Sequence, residues 1–244
     1  MTDSTQRPVI VTGGASGIGA AIVARLLADG HPVAVFDLNP PQADSGSEGL
    51  HVFELDITDH DAVATAVASF AEVAGAPFGL INNAGWDQAI PFVDSDPELW
   101  DRVIDINLRG PLNVTHAVLK HMVEAGRGRV VSIASDAGRV GSSGEAVYSA
   151  TKGGIIAFMK TLAREHARQG ITFNSVCPGP TDTPLLESFD ESGRLAEALQ
   201  RAIPMRRLGR PDDFPGIVTF FLNDDASFIT GQTISVSGGL SMHG

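Results

Sequence analysis

The sequence contains a single cysteine, Cys177, among its 244 residues. One cysteine excludes an intrachain disulfide bond and favours a reducing compartment, so we expect a cytoplasmic protein. Cys177 stands in an apolar run directly before Pro178. We therefore interpret it as a small buried hydrophobic residue and not as a nucleophile.

A long apolar run and a metal-ligand pattern of histidines are also missing. Residues 1–7 are polar, and the apolar run after them is too short for a signal or membrane segment. The seven histidines include no H-x-x-x-H pair, and His116 and His121 are five residues apart and face different sides of a helix. We expect neither membrane association nor a protein-bound catalytic metal.

Positive charge is scarce. The 17 Lys and Arg residues are outnumbered by 29 Asp and Glu residues, which gives a formal net charge of -12. This charge repels nucleic acids and anionic membranes at long range, so neither is an expected partner. A content of 43% hydrophobic and 19% charged residues is that of an ordinary globular protein. The length fits one α/β domain, so we predict a single domain over residues 1–244 that acts on a small molecule.

Short β-branched apolar runs alternate with helical patterns along the chain. This alternation predicts a doubly wound, Rossmann-type α/β fold, in which a parallel sheet has helices on both faces. Seven strands are predicted, at residues 8–12, 33–37, 51–55, 78–82, 129–134, 171–176 and 233–236. Helical patterns fall at about 17–29, 59–74, 97–125, 146–169 and 212–223, and residues 39–49 are predicted to be a loop or a single turn.

Two chemically active side chains lie one helical turn apart in the fourth helical pattern. Tyr148, the only tyrosine, and Lys152 are separated by four residues and so share a face of the helix. An ammonium at this distance favours the phenolate, so we expect the pKa of Tyr148 to lie below its usual value of about 10. Tyr148 is thus a candidate acid/base group, and Ser135, where the preceding apolar run ends, is a candidate partner.

A glycine-rich loop, T-G-G-A-S-G-I-G, follows the first predicted strand and opens the first predicted helix. Glycines there allow a sharp turn and the close approach of a pyrophosphate to the free N–H groups of the helix. The alternative is a tight turn without a ligand. The strand-turn-helix context favours a dinucleotide site.

Together these motifs resemble the short-chain dehydrogenase/reductase family over nearly the whole chain. The glycine loop matches the family's T-G-x-x-x-G-I-G, residues 82–85 match its N-N-A-G, and residues 174–179 match its N-x-V-x-P-G. The resemblance implies an oxidoreductase in which Tyr148 is the acid/base, Lys152 holds the nicotinamide ribose and Ser135 binds the substrate oxygen. It also implies a catalytic tetrad, composed of Asn107, Ser135, Tyr148 and Lys152.

In the family the main chain of the tetrad asparagine holds a water molecule that links the lysine to solvent. Pro111 stands four residues after Asn107 and has no N–H. If this segment is helical, the carbonyl of Asn107 loses its usual intrahelical partner and is left for such a water.

The cofactor implied by the resemblance is NAD. Asp37 ends the second predicted strand, where a carboxylate accepts both adenosine ribose hydroxyls and repels the extra phosphate of NADP. Asp56 resembles the acid that contacts adenine, with a turn or helix cap as its alternative role. Thr181 stands where the family usually has Ile or Val. The implied cofactor contacts are Gly13, Ser16, Gly17, Ile18, Gly19, Asp37, Asp56, Ile57, Asn83, Ala84, Gly85, Tyr148, Lys152, Pro178, Gly179, Thr181 and Thr183.

The substrate is less constrained. The sequence segments around Ser135, Trp86 and Cys177 are similar to those of the branch that includes 2-hydroxycyclohexanecarboxyl-CoA dehydrogenases. This resemblance implies that the substrate is an alicyclic secondary alcohol that bears a carboxylate or a CoA thioester. Alternatives are a reductase of a small ketone or 3-oxoacyl substrate, and a non-catalytic dinucleotide-binding protein. The candidate substrate contacts are Trp86, Arg139, Ser142, Glu145, Leu185 and Phe189, with a lid at about residues 183–210.

Two further expectations concern the surface. Arg206, Arg207 and Arg210 either meet CoA phosphates or form a surface cluster of ion pairs. Residues 231–244 resemble the C-terminal segment through which members of the family commonly form homotetramers.

Overall fold

A computed structural model of the chain describes residues 6–40, 48–189 and 193–242. Seven strands in this part of the chain form one parallel sheet in the order β3-β2-β1-β4-β5-β6-β7. Their bounds are β1 Val9–Thr12, β2 Val33–Asp37, β3 Leu50–Glu54, β4 Gly79–Asn82, β5 Gly128–Ile133, β6 Ile171–Pro178 and β7 Thr233–Val236. The predicted doubly wound fold is confirmed, with each strand within two residues of its predicted ends.

Helices cover both faces of this sheet. They are α1 Gly17–Ala28, α2 His60–Ala74, α3 Pro97–Ile104, α4 Gly110–Ala125, α5 Ala137–Val140, α6 Ala146–His166, α7 Pro184–Glu187, α8 Arg194–Ala202 and α9 Pro215–Leu222. Successive strand residues point to opposite faces, so Ile10 joins a core with α2, α4 and α6, whereas Val9 and Val11 join a core with α1 and α9. Both faces of the strands are therefore apolar, which explains their continuous hydrophobic runs.

The strand order reverses beside β1. The chain runs from β1 outward through β2 to β3, then returns to place β4 on the other side of β1. The connections after β1 and β4 consequently leave in opposite directions and open a crevice at the carboxyl ends of the strands, where ligands bind in sheets of this kind. Thr12, Asp37 and Asn82, the last residues of their strands, all end at this edge.

The long helical pattern predicted at 97–125 is divided in the structure. A π-helical turn, Asp105–Arg109, separates α3 from α4, and the N–H of Gly110 donates to the carbonyl of Asp105. Pro111 is the second residue of α4, where its missing N–H costs little. The wider turn places Asn107 in the interior, where it is fully buried.

Other departures are small. Helices α5, α7 and α8 are additional to the predicted set, and most of the predicted loop at 39–49 lies outside the described residues. Cys177 is fully buried in the core and burial raises the pKa of its thiol to about 11, as expected of a structural cysteine. None of the described helices is long and apolar enough to cross a membrane.

Candidate active site

The glycine-rich loop joins β1 to α1 by a turn that only glycine permits. Gly13 has a φ of 64°, in the left-handed region. Gly19 lies so close to the preceding loop that a Cβ atom there would be 2.0 Å from the carbonyl oxygen of Gly13. The loop therefore folds back on the start of its own helix and presents that helix's N-terminus to the crevice, an arrangement that fits a pyrophosphate.

The segment after β4 is held against this loop by a network around Thr12. The buried Thr12 hydroxyl accepts hydrogen bonds from the N–H groups of Asn83 and Ala84, both at 3.0 Å. The Asn83 side chain donates to the carbonyls of Thr12 and Gly13 at 3.1 and 2.9 Å. The two loops thus form one rigid wall of the crevice.

Two carboxylates stand at the other end of the crevice. Asp37 accepts a hydrogen bond from the N–H of Ala15 at 3.0 Å and another from Asn39 at 2.9 Å, so its charge is fixed beside the glycine-rich loop. Asp56 accepts from the N–H of Thr58 at 2.8 Å and holds a turn before α2. Asp56 therefore has the turn role that the sequence left open, and it also lines the crevice.

Ser135, Tyr148 and Lys152 come together where β5 meets α6. The hydroxyls of Ser135 and Tyr148 hydrogen-bond with each other, and Ser135 also accepts from the N–H of Ala137 at 3.1 Å. The Lys152 ammonium donates to the carbonyl of Ile133 at 3.1 Å and lies 5.4 Å from the centre of the Tyr148 ring. A serine hydroxyl, a phenol and an ammonium group in one place are the groups needed for acid/base catalysis, which transfers a proton to or from an alcohol oxygen.

The expected lowering of the pKa of Tyr148 was wrong. Burial raises the pKa of Tyr148 well above its usual value, the charges of Glu145 and Asp87 raise it further, and the Ser135 hydrogen bond acts in the opposite direction. Burial also lowers the pKa of Lys152 to about 8. The sequence argument counted the ammonium and omitted both desolvation and the two nearby acids.

Asn107 supports the site from behind. Its side chain donates to the carbonyl of Trp86 at 2.6 Å and to that of Val103 at 2.9 Å, and it accepts from the N–H of Trp86 at 3.2 Å. Both polar groups of the Trp86 backbone are thereby fixed. A Cβ atom on Gly85 would be 2.9 Å from Asn107 Oδ1 and 3.4 Å from Lys152 Nζ, so Asn107 and Lys152 flank the same residue.

A continuous cleft of about 1180 Å³ connects these groups. Of the predicted site residues, three do not line it: Gly19 is packed beneath it, Asn107 is buried behind Trp86, and Arg139 donates to the Ser235 hydroxyl at 2.8 Å. The predicted residues that line it are Gly13, Ser16, Gly17, Ile18, Asp37, Asp56, Ile57, Asn83, Ala84, Gly85, Trp86, Ser135, Ser142, Glu145, Tyr148, Lys152, Pro178, Gly179, Thr181, Thr183, Leu185 and Phe189.

The structure adds cleft residues that no motif indicated. Leu195 and Leu199 of α8, Leu240 and Met242 near the C-terminus, and Arg102 of α3 all contribute to the lining. They come from segments far apart in the chain, and only the folded structure brings them together. Residues 190–192, inside the predicted lid, lie outside the described residues.

A pair of acids lies beside Tyr148. Asp87 is 5% exposed, the side chain of Glu145 lies beside it, and its Oδ2 has no hydrogen-bond partner among the described residues. Burial raises the pKa of Asp87 to about 7, a backbone hydrogen bond from Gln88 lowers it, and the charge of Glu145 raises it. Glu145 was a predicted substrate contact, and Asp87 follows the N-N-A-G segment by two residues.

The geometry agrees with a comparison against known families. A family model described as enoyl-(acyl carrier protein) reductase matches residues 13–241, most of the chain. The chain belongs to the short-chain dehydrogenase/reductase family. The expected membership is thus confirmed, and the protein is a member of a family of oxidoreductases that bind a nicotinamide dinucleotide.

Individual relatives of this short-chain dehydrogenase/reductase span nearly its whole length. An acetoacetyl-CoA reductase of Shinella zoogloeoides is 39% identical over 236 residues, which is 96% of this chain and 98% of the relative. A 2-dehydro-3-deoxy-L-rhamnonate dehydrogenase (NAD(+)) of Sphingomonas sp. (strain SKA58) is 38% identical and covers 96% and 94%. A variant of actinorhodin polyketide ketoreductase with NADPH superposes with a TM-score of 0.91 at 31% identity, covering 100% of both chains.

Proposed function

We propose that this protein is an NAD-dependent oxidoreductase that interconverts a secondary alcohol and a ketone. The observation that carries the proposal is the meeting of Ser135, Tyr148 and Lys152 at one end of a cleft whose other end presents Asp37. The cleft is large enough for a dinucleotide and a small substrate together. The glycine-rich loop packs so closely that a Cβ atom on Gly19 would clash with it. Such close packing is expected of a turn whose backbone approaches a phosphate group.

The chain's own residues supply proton chemistry. Bound nicotinamide would supply the acceptor or donor of the hydride. Ser135 positions the substrate oxygen and stabilises charge that develops on it. Tyr148 removes the hydroxyl proton in oxidation and returns it in reduction. We expect the Lys152 ammonium, 5.4 Å from the centre of the Tyr148 ring, to favour the phenolate against the desolvation that keeps Tyr148 protonated.

The preference for NAD rests on charge at the adenosine end of the cleft. Asp37 is held by the backbone of Ala15 and Asn39, and its neighbours Ser16 and Leu38 are uncharged. Among the described lining residues the only cations are Arg102 and Lys152. Arg102 stacks on Trp86, and Lys152 lies beside Tyr148, so both cations are at the catalytic end of the cleft. At the adenosine end, no cation of the described lining is available for the additional phosphate of NADP.

The substrate we propose carries an anionic group at a distance from the reacting carbon, as an alicyclic hydroxy acid or hydroxyacyl-CoA does. The exposed guanidinium of Arg102 lies 3.8 Å from the centre of the Trp86 ring, in the lining of the cleft. Stacking on the ring holds the guanidinium in place without using its N–H groups as hydrogen-bond donors. Arg207, by contrast, already forms an ion pair with Asp213 at 2.6 Å, which favours the surface interpretation of the basic cluster.

A second candidate is the reduction of a 3-oxoacyl substrate. Relatives that are 36–39% identical are named acetoacetyl-CoA reductase or 3-oxoacyl-[acyl-carrier-protein] reductase, and these names favour it. The two candidate reactions use the same catalytic side chains. They differ in the direction of proton transfer at Tyr148 and in the substituent attached to the substrate's ketone. A substrate panel run in both directions separates them.

The test of the proposed function is Tyr148→Phe, assayed with NAD and NADP on cyclic hydroxy acids, their CoA esters and simple secondary alcohols. The substitution keeps the ring and removes only the hydroxyl, so folding and cofactor binding persist while kcat/KM falls by about 100-fold or more. A variant as fast as wild type on the best substrate contradicts the proposal. Cofactor binding with no turnover by the wild type across alcohols and ketones supports a non-catalytic dinucleotide-binding protein.

We also propose a homotetramer, in line with the family. Strand β7 is the edge of the sheet on one side, and Phe228, just before it, is entirely exposed. Ile234 of β7 and Leu112 and Val123 of α4 are partly exposed apolar side chains as well. Light scattering of the purified protein measures the assembly, and a monomer at micromolar concentration contradicts it.

A further inference from the structure

Asp136, the residue after Ser135, is a buried acid to which the proposed reaction assigns no step. It is 6% exposed. Among the described residues its carboxylate has one hydrogen-bond donor, the hydroxyl of Ser235, which donates to Oδ1, while Oδ2 has none. A carboxylate that is removed from water is costly unless hydrogen bonds hold it, and hydrogen bonds to a charged acceptor are strong. The bond from Ser235 therefore constrains where Asp136 can lie.

The backbone changes direction at Asp136. The N–H groups of Ala134 and Asp136 donate to the carbonyls of Val176 and Pro178 at 2.8 and 3.0 Å, so the chain continues the pairing of β5 with β6 as far as Asp136. Asp136 itself has helical φ and ψ angles of -61° and -28°, and α5 follows directly. Ser135 is thus the last residue before the chain turns into α5.

The hydroxyl of Ser135 takes its position from this turn. Its oxygen accepts a hydrogen bond from the N–H of Ala137 at 3.1 Å, and the carbonyl of Ser135 accepts one from the N–H of Gly138 at 3.1 Å. A shift of the turn therefore carries the serine oxygen with it. Because a misplacement of about 1 Å can lower the rate of a reaction about 100-fold, the anchoring of this turn matters for catalysis.

Two side chains of the turn are anchored at the same point of the sheet. Ser235 lies in β7 opposite Cys177 of β6, so the Asp136 side chain reaches across β6 to meet it. Arg139, three residues after Asp136, donates to the same Ser235 oxygen at 2.8 Å. A hydroxyl has one hydrogen to donate and lone pairs that accept, so Ser235 bonds to the carboxylate and the guanidinium together. This one hydroxyl thereby joins the turn after β5 to a strand two positions away in the sheet.

We propose that Asp136 and Ser235 are positioning residues for the reaction, which hold the turn after β5 where the Ser135 hydroxyl meets the substrate oxygen. Arg139, which the sequence suggested as a substrate contact, is part of the same anchor. Ser235 does not line the cleft, so it acts on the substrate through Ser135. This inference rests on the proposed function and deepens it, because it names what fixes the geometry of the serine.

The experiment begins with Ser235→Ala, which removes the hydroxyl that both charged side chains share. Turnover is measured with NAD and the secondary alcohol that the wild type oxidises fastest in the substrate panel. We expect kcat to fall by about tenfold, while the dissociation constant of NAD changes by less than about twofold. Ser235→Thr restores a hydroxyl at the same position and should keep kcat within about twofold of the wild type.

The matched control is Thr233→Val in the same strand. Thr233 precedes Ser235 by two residues, so the two side chains point to the same face of β7. The hydroxyl of Thr233 is buried and has no hydrogen-bond partner among the described residues. Its replacement by a methyl group should therefore leave kcat unchanged.

A double-mutant cycle separates positioning from a merely structural role. We expect Ser135→Ala alone to lower kcat by about 100-fold to 1000-fold. In that background Ser235→Ala should cause no further loss, because the hydroxyl that Ser235 positions is already gone. A general disturbance of the fold would instead lower kcat by the same factor in both backgrounds.

Asp136→Asn provides a second cycle. The amide keeps the shape of the carboxylate and lacks the charge that strengthens the hydrogen bond from Ser235, so we expect kcat to fall by about threefold to tenfold. The loss should again disappear in the Ser135→Ala background. This variant carries the test if Ser235→Ala does not fold.

The outcomes separate this inference from the proposed function. An unchanged kcat in Ser235→Ala, or an equal loss with and without the Ser135 hydroxyl, overturns the inference while alcohol oxidation itself stands. A loss in Thr233→Val equal to that in Ser235→Ala also overturns it. If the wild type converts no alcohol or ketone at all, the proposed function fails together with the inference.

Discussion

The floor and the rim of the cleft are built differently. We call the floor the glycine-rich loop, the ends of β1, β2, β4 and β5, and the first two turns of α6. We call the rim residues 183–189, 193–199 and 240–242. In the floor, side chains such as Thr12, Asn83 and Lys152 make defined hydrogen bonds to backbone groups of other segments. In the rim, the lining is mainly apolar and includes Leu199 and Met242, the latter 78% exposed.

This difference separates two tasks. Hydrogen bonds to fixed backbone groups define positions to within a fraction of an ångström, as proton transfer requires. Apolar side chains on short helices adapt to the shape of what they cover. The floor therefore specifies the reaction and the rim contributes to the choice of substrate, so substitutions in the floor should have the larger and more general effects.

The largest effect on stability is expected for Gly19→Ala. The added Cβ would be 2.0 Å from the Gly13 carbonyl oxygen, and because that oxygen belongs to the backbone the whole loop must move. We expect the free energy of unfolding to fall by about 2–3 kcal/mol and dinucleotide binding to be lost. Urea unfolding and cofactor titration measure the two effects.

The matched control is Gly216→Ala in α9. Both glycines are helical, but Gly216 is exposed and has no atom within 4 Å of an added Cβ. Its replacement should therefore stabilise the protein by about 1 kcal/mol through helix propensity. If the two substitutions had the same effect on stability, the close packing of the glycine-rich loop would not be what distinguishes the floor.

The next effect is a change of cofactor preference in Asp37→Asn. Asparagine can keep the hydrogen bond from Ala15 while the negative charge disappears, so repulsion of the NADP phosphate is relieved. We expect the ratio of NAD to NADP affinity to fall by about tenfold or more. Asp56→Asn, which removes a charge from the same cleft but retains the turn at Thr58, should leave the ratio unchanged. An unaltered ratio in Asp37→Asn excludes Asp37 from selecting the cofactor.

Most of the floor could be predicted from the sequence because its chemistry is local. The turn before α1 requires glycines at fixed spacing, and one helical turn separates Tyr148 from Lys152, so consecutive residues determine the geometry. The direction of the Tyr148 pKa shift could not be predicted in this way. It depends on burial and on Asp87 and Glu145, which lie 58 residues apart in the chain and meet only in the folded protein.

The rim was predicted only in outline. Leu185 and Phe189 were predicted there by name, and Leu195 and Leu199 fall within the predicted lid at about residues 183–210 without being named. The C-terminal residues were not predicted there. Apolar residues of short helices have no spacing that distinguishes a cleft wall from ordinary packing. Arg139 shows the converse: its position before Tyr148 suggested the substrate, but the structure directs its guanidinium to Ser235.

The smallest effect is expected at the cleft mouth, where Arg102→Gln removes an exposed charge and its stacking on Trp86. Interactions of exposed charges are weak, so we expect KM for a CoA thioester to rise only about threefold to tenfold. KM for the uncharged N-acetylcysteamine thioester of the same acyl group should not change, since that substrate lacks the anionic end. Arg210→Gln tests the basic cluster on the surface in the same way. A rise in KM for the CoA thioester confined to Arg210→Gln would assign anion binding to the basic cluster on the surface. A rise confined to Arg102→Gln would assign it to Arg102 in the cleft, while the residues of the floor carry out the reaction.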